Sequence, residues 1–175
     1  YMGASIGAAE GEAFLFAAQH SIRNNQPLLI VATGGGMKMQ ESIISLNQMT
    51  RTTLAVNELK TKKIPYIVLF ADPVAGGITA SYAMLGDIQI AEPGALIAFA
   101  GRRVIEGTVK EELPENFQKS EHVQACGFVD TIIQRKDLPE KIGILLSILL
   151  KKQSDVKIED GNKTSEDNIE NREAS

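Results

Sequence analysis

Pro27-Leu28-Leu29-Ile30-Val31-Ala32-Thr33-Gly34-Gly35-Gly36 and Pro65-Tyr66-Ile67-Val68-Leu69-Phe70-Ala71-Asp72-Pro73-Val74-Ala75-Gly76-Gly77 repeat one pattern: a proline, a short apolar run, then glycines. An unbroken apolar run of that length reads as a strand buried on both faces, as parallel strands usually are. Between the runs, Met39, Ile43, Leu46, Met49, Val56 and Leu59 step by three, four or seven residues. That spacing predicts a long helix over about Met39 to Lys62. Strand, helix and strand without a hairpin signal form a βαβ unit, whose crossover is right-handed.

Outward from this unit, Ala8 to Asn25 reads as a helix with Ala13, Phe14, Ala17, Ala18 and Ile22 on one side. Ile78 to Leu85 reads as a short helix. Ile88–Ala91 and Leu96–Phe99 read as short strands around the Glu92-Pro93-Gly94 turn. Helices are expected over Arg103–Lys110, Lys119–Cys126 and Leu138–Leu150, with a strand over Phe128–Ile133. The class is α/β. From Lys151 to Ser175 the composition turns polar and charged, too poor in apolar residues to offset the entropy of ordering. The expectation is one folded domain over 1–150 and a disordered charged tail over 151–175. The chain opens at Tyr1-Met2-Gly3, and it reads as truncated at its N-terminus.

Composition narrows the function. A net charge of −4 over 175 residues argues against a nucleic-acid-binding surface. The single cysteine, Cys126, excludes an internal disulfide and a four-thiolate zinc site. No apolar run approaches the roughly 18–20 residues of a membrane span, and no basic-then-apolar leader is present. The expected location is the cytoplasm.

Gly34-Gly35-Gly36 lies between a strand and a helix, where glycine lets main-chain N–H groups approach a ligand. No Gly-Lys-Ser/Thr follows, which excludes a Walker loop, and Met39 stands where a dinucleotide fingerprint needs its third glycine. Ala75-Gly76-Gly77 lies between the second strand and the expected short helix, whose N-terminus would leave N–H donors unpaired. Two such donors make an oxyanion hole. Each loop could instead be a tight turn and nothing more. Gly3-Ala4-Ser5-Ile6-Gly7 matches G-x-S-x-G, but no strand precedes it; it reads as a loop near a ligand entering the first helix. His20 and His122 stand alone on their helices as surface or packing residues. Cys126 reads as a core residue, and Asp72 and Asp87 as caps or turn formers. Lys38 could meet an anion or be solvated. Arg102 and Arg103 open a helix, an unfavourable end for cations, and so are candidate anion contacts.

Several longer blocks carry a family resemblance. Gly35-Gly36-Met37-Lys38-Met39-Gln40-Glu41 resembles the G-G-A-R-M-Q-E segment of the β subunits of bacterial acetyl-coenzyme A carboxylase carboxyltransferase. The likeness continues through Ser45–Met49 and Pro65–Ile67 and is strongest over Asp72–Asp87. It runs on through Ile90–Ile97, Phe99–Glu106 and Leu113–Glu121, covering nearly all of residues 1–150.

The resemblance implies a crotonase-type (ClpP/crotonase) fold of repeated ββα units. It implies transfer of a carboxyl group from carboxybiotin, held on a biotin carboxyl carrier protein, to acetyl-coenzyme A. Malonyl-coenzyme A is the product, in the first committed step of fatty acid synthesis. The implied partner is a carboxyltransferase α subunit of like fold in an α2β2 assembly, without which the β subunit is inactive. The implied catalytic groups are the backbone N–H donors of Gly76 and Gly77, with a second donor loop at Gly35 and Gly36. Gly3, Ser5, Lys38, Gly101 and Arg102 are the expected substrate contacts. Zinc is expected only in the family's N-terminal four-cysteine ribbon, which this sequence lacks. The family's serine, alanine and arginine of the first loop are here Gly34, Met37 and Lys38, and the proline of its F-A-G-P-R is Arg102. The alternatives are another crotonase-type acyl-coenzyme A enzyme, a hydratase or isomerase needing aimed carboxylates, and a non-catalytic partner-binding fragment. A Clp-type protease fits poorly, since Ser81 lies a turn too late and lacks a histidine.

Overall fold

The computed structural model describes residues 2–110 and 112–151, so the tail expected at 151–175 lies, from residue 152 on, outside the described residues. In chain order the elements are α1 (Ala8–Asn24), β1 (Leu28–Gly34), α2 (Ile43–Thr61), β2 (Tyr66–Val74), β3 (Ile88–Ala91), α3 (Arg102–Val109), α4 (Ser120–Ala125), β4 (Thr131–Ile132) and α5 (Leu138–Leu149). The four strands form one parallel sheet in the order β1-β2-β3-β4.

β2 is an interior strand, and its residues are apolar on both faces. Tyr66, Val68 and Phe70 cluster with Phe14 and Ala18 of α1 and with Val56 and Leu59 of α2. Ile67 and Leu69 turn the other way and cluster with Ile90 of β3 and with Leu138, Ile142 and Leu145 of α5. Leu59 is fully buried; truncating such a leucine to alanine typically costs about 2–5 kcal/mol. The Tyr66 hydroxyl donates to the Tyr82 carbonyl at 3.0 Å. Burial pushes the Tyr66 phenol well above its usual range and that of Tyr82 up to about 12, so both act as neutral packing groups.

The βαβ reading holds, with corrections in detail. β1 is an edge strand buried on one face only: Leu29 is 40% and Val31 57% exposed. The long helix does not run unbroken from Met39, because Ser42 adopts φ 49°, ψ −128° and separates a 3₁₀ turn at Met39–Glu41 from α2. The expected stripe also drifts around α2 itself, since steps of three residues fall short of a full turn. Met39, Ile43 and Leu46 face outward, while Ser45, Gln48 and Thr52 are buried. Their polar atoms are satisfied: Ser45 Oγ donates to the Lys38 carbonyl, and Gln48 Nε2 and Thr52 Oγ1 to carbonyls of their own helix. Gly11 lets α1 approach, since a Cβ there would lie 2.2 Å from Gln48 Oε1.

The segment after β2 departs furthest. Ile78–Leu85 is not an α-helix but a series of turns ending in a 3₁₀ turn at Ala83–Leu85. Leu96–Phe99 is not a strand; it makes single bridges, Val74 to Ile97 and Leu96 to Lys119. The strand expected over Phe128–Ile133 shrinks to Thr131–Ile132, and Phe128 is exposed. Cys126 is exposed rather than in the core.

Candidate functional site at the glycine loops

Parallel pairing brings the two glycine loops together. Gly34 is the register partner of Val74, and Ala75 N–H donates to the Gly34 carbonyl at 2.9 Å. Both loops therefore leave the carboxyl ends of neighbouring strands side by side, where open α/β sheets bind ligands. They touch through main chain. A Cβ on Gly36 would lie 3.6 Å from Gly77 N, and one on Gly76 would lie 3.2 Å from the Gly35 carbonyl oxygen. Gly36 at φ 125° and Gly76 at φ 63° hold conformations that side chains disfavour.

Each loop is braced from outside. The N-terminal segment crosses the first loop: Gly35 N–H donates to the Gly3 carbonyl at 3.0 Å, and Ile6 N–H to the Gly36 carbonyl at 2.8 Å. The second loop is braced by the chain after β3, where Gly76 N–H donates to the Phe99 carbonyl at 3.1 Å. The Thr79 hydroxyl lies 2.8 Å from the Gly76 carbonyl and 2.7 Å from that of Ala98. Ser81 Oγ donates to the Gly77 carbonyl at 2.6 Å.

These bonds correct the expected donor set. Gly35 and Gly76 N–H groups are engaged within the protein, so neither is available to a ligand. Gly36 and Gly77 N–H groups have no acceptor among the described residues. The donors come from a turn rather than from a helix N-terminus. The arrangement offers two main-chain N–H groups on abutting loops, suited to an oxygen that gains negative charge.

The expected substrate contacts divide. Gly3 and Ser5 lie beside the first loop; Gly3 is exposed and Ser5 half-buried. Gly101 is exposed, with open space around the position of a Cβ, and leads into α3. Lys38 is not a waiting anion contact. Its ammonium pairs with Glu41 Oε1 at 3.2 Å and Glu10 Oε2 at 3.3 Å. Glu41 Oε2 also accepts Ala8 N–H at 2.6 Å, and Glu10 Oε2 accepts Gly7 N–H at 2.8 Å. The Lys38 ammonium is shifted upward, first by its bond to Glu41. The Glu10 carboxyl is held below its usual range first by its own main-chain N–H and then by that of Gly7, and the Glu41 carboxyl first by the N–H of Ala8. Sequence reading missed this clamp, although Lys38 and Glu41 have the spacing of a helical ion pair and Glu10 sits where a first-turn acid caps. Arg102 is also engaged: its Nε pairs with Glu106 Oε1 at 2.8 Å, and its Nη atoms donate to the carbonyls of Pro114 and Leu113. Among the described residues, no group of three or more His, Cys, Asp or Glu is placed to hold a metal ion, and no helix is long and apolar enough to cross a membrane.

Residues 1–136 match the family described as the carboxyl transferase domain. The chain is 68% identical over 167 residues to the acetyl-coenzyme A carboxylase carboxyl transferase subunit beta of Pelagibacter ubique (strain HTCC1062), covering 95% of this chain and 54% of that protein. It is 53% identical over 150 residues to the protein of the same name from Caulobacter vibrioides (strain NA1000 / CB15N), covering 86% and 49%. The chain thus spans about half the length of these relatives. Among solved structures, a transcarboxylase 12S with methylmalonyl-coenzyme A bound aligns at TM-score 0.74 and 23% identity, over 83% of this chain and 28% of that one. A Pseudomonas malonate decarboxylase hetero-dimer aligns at TM-score 0.70 and 21% identity, over 89% and 69%. The structural likeness establishes the crotonase-type α/β fold. With more than half of its residues matched to one family, the chain belongs to the carboxyl transferase domain family.

Proposed function

We propose that this chain is the catalytic-domain portion of an acetyl-coenzyme A carboxylase carboxyltransferase β subunit, moving a carboxyl group from carboxybiotin to acetyl-coenzyme A to give malonyl-coenzyme A. The observation that supports it best is the pair of unengaged N–H groups, Gly36 and Gly77, on loops in main-chain contact. Carboxybiotin, on its carrier protein, supplies the carboxyl group. What this chain contributes is electrostatic. Making a carbon nucleophile from an acetyl thioester puts negative charge on the thioester oxygen, and fixed N–H dipoles favour that state without reorganising. The reading needs no side-chain nucleophile, and Ser5 and Ser81 need no catalytic part. The partners that go with it are a carboxyltransferase α subunit in an α2β2 assembly and a biotin carboxyl carrier protein; the compartment is the cytoplasm. Zinc, in this reading, belongs to a ribbon outside this chain.

The test is reconstitution of the full-length β subunit with an α partner, following malonyl-coenzyme A. Gly36→Ala sets a methyl 3.6 Å from Gly77 N and strains φ 125°. The N–H itself is kept, so the strain acts by re-aiming it, and turnover should fall by up to the roughly 10²–10³ that loss of one oxyanion donor costs. Turnover within a few-fold of the parent, in a variant with an unchanged melting curve, refutes the donor assignment. Hydration of crotonyl-coenzyme A in place of carboxylation would support the hydratase alternative.

A further inference from the structure

The two glycines of the second loop are glycine for different reasons. Gly76 holds φ 63°, in the left-handed region. Gly77 lies outside that region, so no backbone strain forbids a side chain there. What forbids it is space. A Cβ on Gly77 would lie 2.7 Å from Met37 Cγ, 3.1 Å from Met37 Cε and 3.0 Å from Met49 Sδ. The Met37 side chain therefore runs beside the Cα of a residue whose N–H meets no acceptor among the described residues.

Met37 belongs to the other loop. It follows Gly36 directly, and the main chain on both sides of it is fastened to the N-terminal segment. Ile6 N–H donates to the Gly36 carbonyl and Lys38 N–H to the Ile6 carbonyl, each at 2.8 Å. The half-buried side chain of Met37 packs against the core cluster that holds Phe14 and Tyr66. Together with Met49 of α2 it closes on one point beside Gly77. An unbranched thioether fills a narrow gap of this kind well. Met37 is also a place where this sequence departs from the G-G-A-R-M-Q-E segment, so the resemblance implies no role for it.

We propose that Met37 is a positioning residue of the glycine site: its side chain, carried by the first loop, is the stop that holds the Gly77 N–H at its distance from the Gly36 N–H. This deepens the two-donor reading of the site, on which it rests. The stop is apolar, so it sets distance and carries no charge. An oxygen held by both donors is sensitive to that distance, because a hydrogen bond weakens away from about 2.9 Å. A misplacement of about 1 Å can cost about 10²-fold in rate.

A double-mutant cycle in the reconstituted full-length enzyme tests this, with malonyl-coenzyme A as the readout. Gly77→Ala should lower kcat about 10- to 100-fold, because the new methyl is driven against Met37. Met37→Ala should lower kcat about 3- to 10-fold with KM within about two-fold, the pattern of a contact that counts only in the transition state. The two losses should not multiply. The alanine methyl at 77 takes up space that Met37→Ala vacates, so the double variant should turn over at least about 5-fold faster than Gly77→Ala alone. Met37→Leu keeps a Cγ and nearly the volume, and should stay within about two-fold of the parent. A second readout is independent of turnover. In amide NMR spectra of the chain, Met37→Ala should shift the Gly77 resonance and Met37→Leu should restore it. The Gly127 resonance, with nothing within 4 Å of a Cβ there, should stay in place in both. An unchanged kcat in Met37→Ala, losses that multiply, or a Gly77 resonance that Met37→Ala leaves unmoved overturns the proposal. Turnover by the parent with any of these results defeats this inference and leaves the functional reading intact. A Gly77 resonance that moves as expected, in a protein whose parent makes no malonyl-coenzyme A, supports the stop and defeats the functional reading.

Discussion

The loops at 34–36 and 75–77 look alike in sequence and share one logic, yet they are held by different physics. In each, the first glycine of the pair donates its N–H inward, Gly35 to Gly3 and Gly76 to Phe99, and the N–H of the second meets no acceptor among the described residues. The first loop is fastened by a crossing main-chain segment and a three-member charge clamp around Lys38. The second is fastened by the neutral hydroxyls of Thr79 and Ser81. Equivalent donors therefore rest on supports that respond differently to mutation and to pH.

The sharpest way to break the first support is Gly34→Ala. A Cβ there would lie 2.1 Å from the Ala4 carbonyl oxygen, a main-chain atom, at φ 141°. The clash cannot relax without displacing the N-terminal segment, and the strain at φ 141° remains even then. The expected loss is about 3 kcal/mol or more, read from urea denaturation. Gly101→Ala, at φ −63° with nothing within 4 Å of its Cβ, should stay within about 0.5 kcal/mol. Equal effects would mean that the crossing segment does not brace the loop.

The second support is broken by Thr79→Val. The shape is nearly kept, but the buried hydroxyl is lost. The Gly76 carbonyl retains Ala80 N–H at 3.1 Å, so Ala98 is the carbonyl left stranded. One buried acceptor without its donor costs about 1–3 kcal/mol. A change below a few tenths of a kcal/mol would mean that the hydroxyl is dispensable to the loop.

The same contrast marks what could be read from sequence. β2 was legible because Tyr66–Phe70 is apolar at every position and buried at every position. β1 has the same composition, but nothing in composition says that a strand lies at an edge, and Leu29 and Val31 are exposed for that reason. The stripe along α2 was misread because steps of three residues fall short of a full turn, so Ile43 and Leu46 lie on a different face from Val56 and Leu59 of the same helix. At the site, glycine spacing marked two loops that the fold brings into main-chain contact. It could not tell Gly36 from Gly35, since their difference lies in which N–H finds a distant carbonyl. The partners of Lys38 and Arg102 were hidden for the same reason: Glu10, Leu113 and Pro114 come close to them only in the fold.

The smallest effect is the most discriminating, because among the described residues an ion-pair clamp adjoins the first loop, whereas hydroxyls fasten the carbonyls of the second. The folded-state values of Glu10 and Glu41 lie below the ordinary 4.5. Their contribution is therefore complete above that value and is lost as pH falls through the lowered folded ones. The folded value of Lys38 lies above 10.5, so its contribution is complete below 10.5 and is lost as pH rises past the raised value. Between these limits the clamp should not respond to pH. In an amide NMR titration downward from pH 7, the Gly36 resonance should move as the carboxyls protonate, while Gly77 moves less and with a different midpoint. Lys38→Met should shift the Gly36 midpoint only slightly upward, because main-chain N–H groups, rather than the ammonium, are the main cause of the low carboxyl values. Gly36 and Gly77 moving together with one midpoint would show that the two loops behave as a single mechanical unit, and the separation of supports would fall.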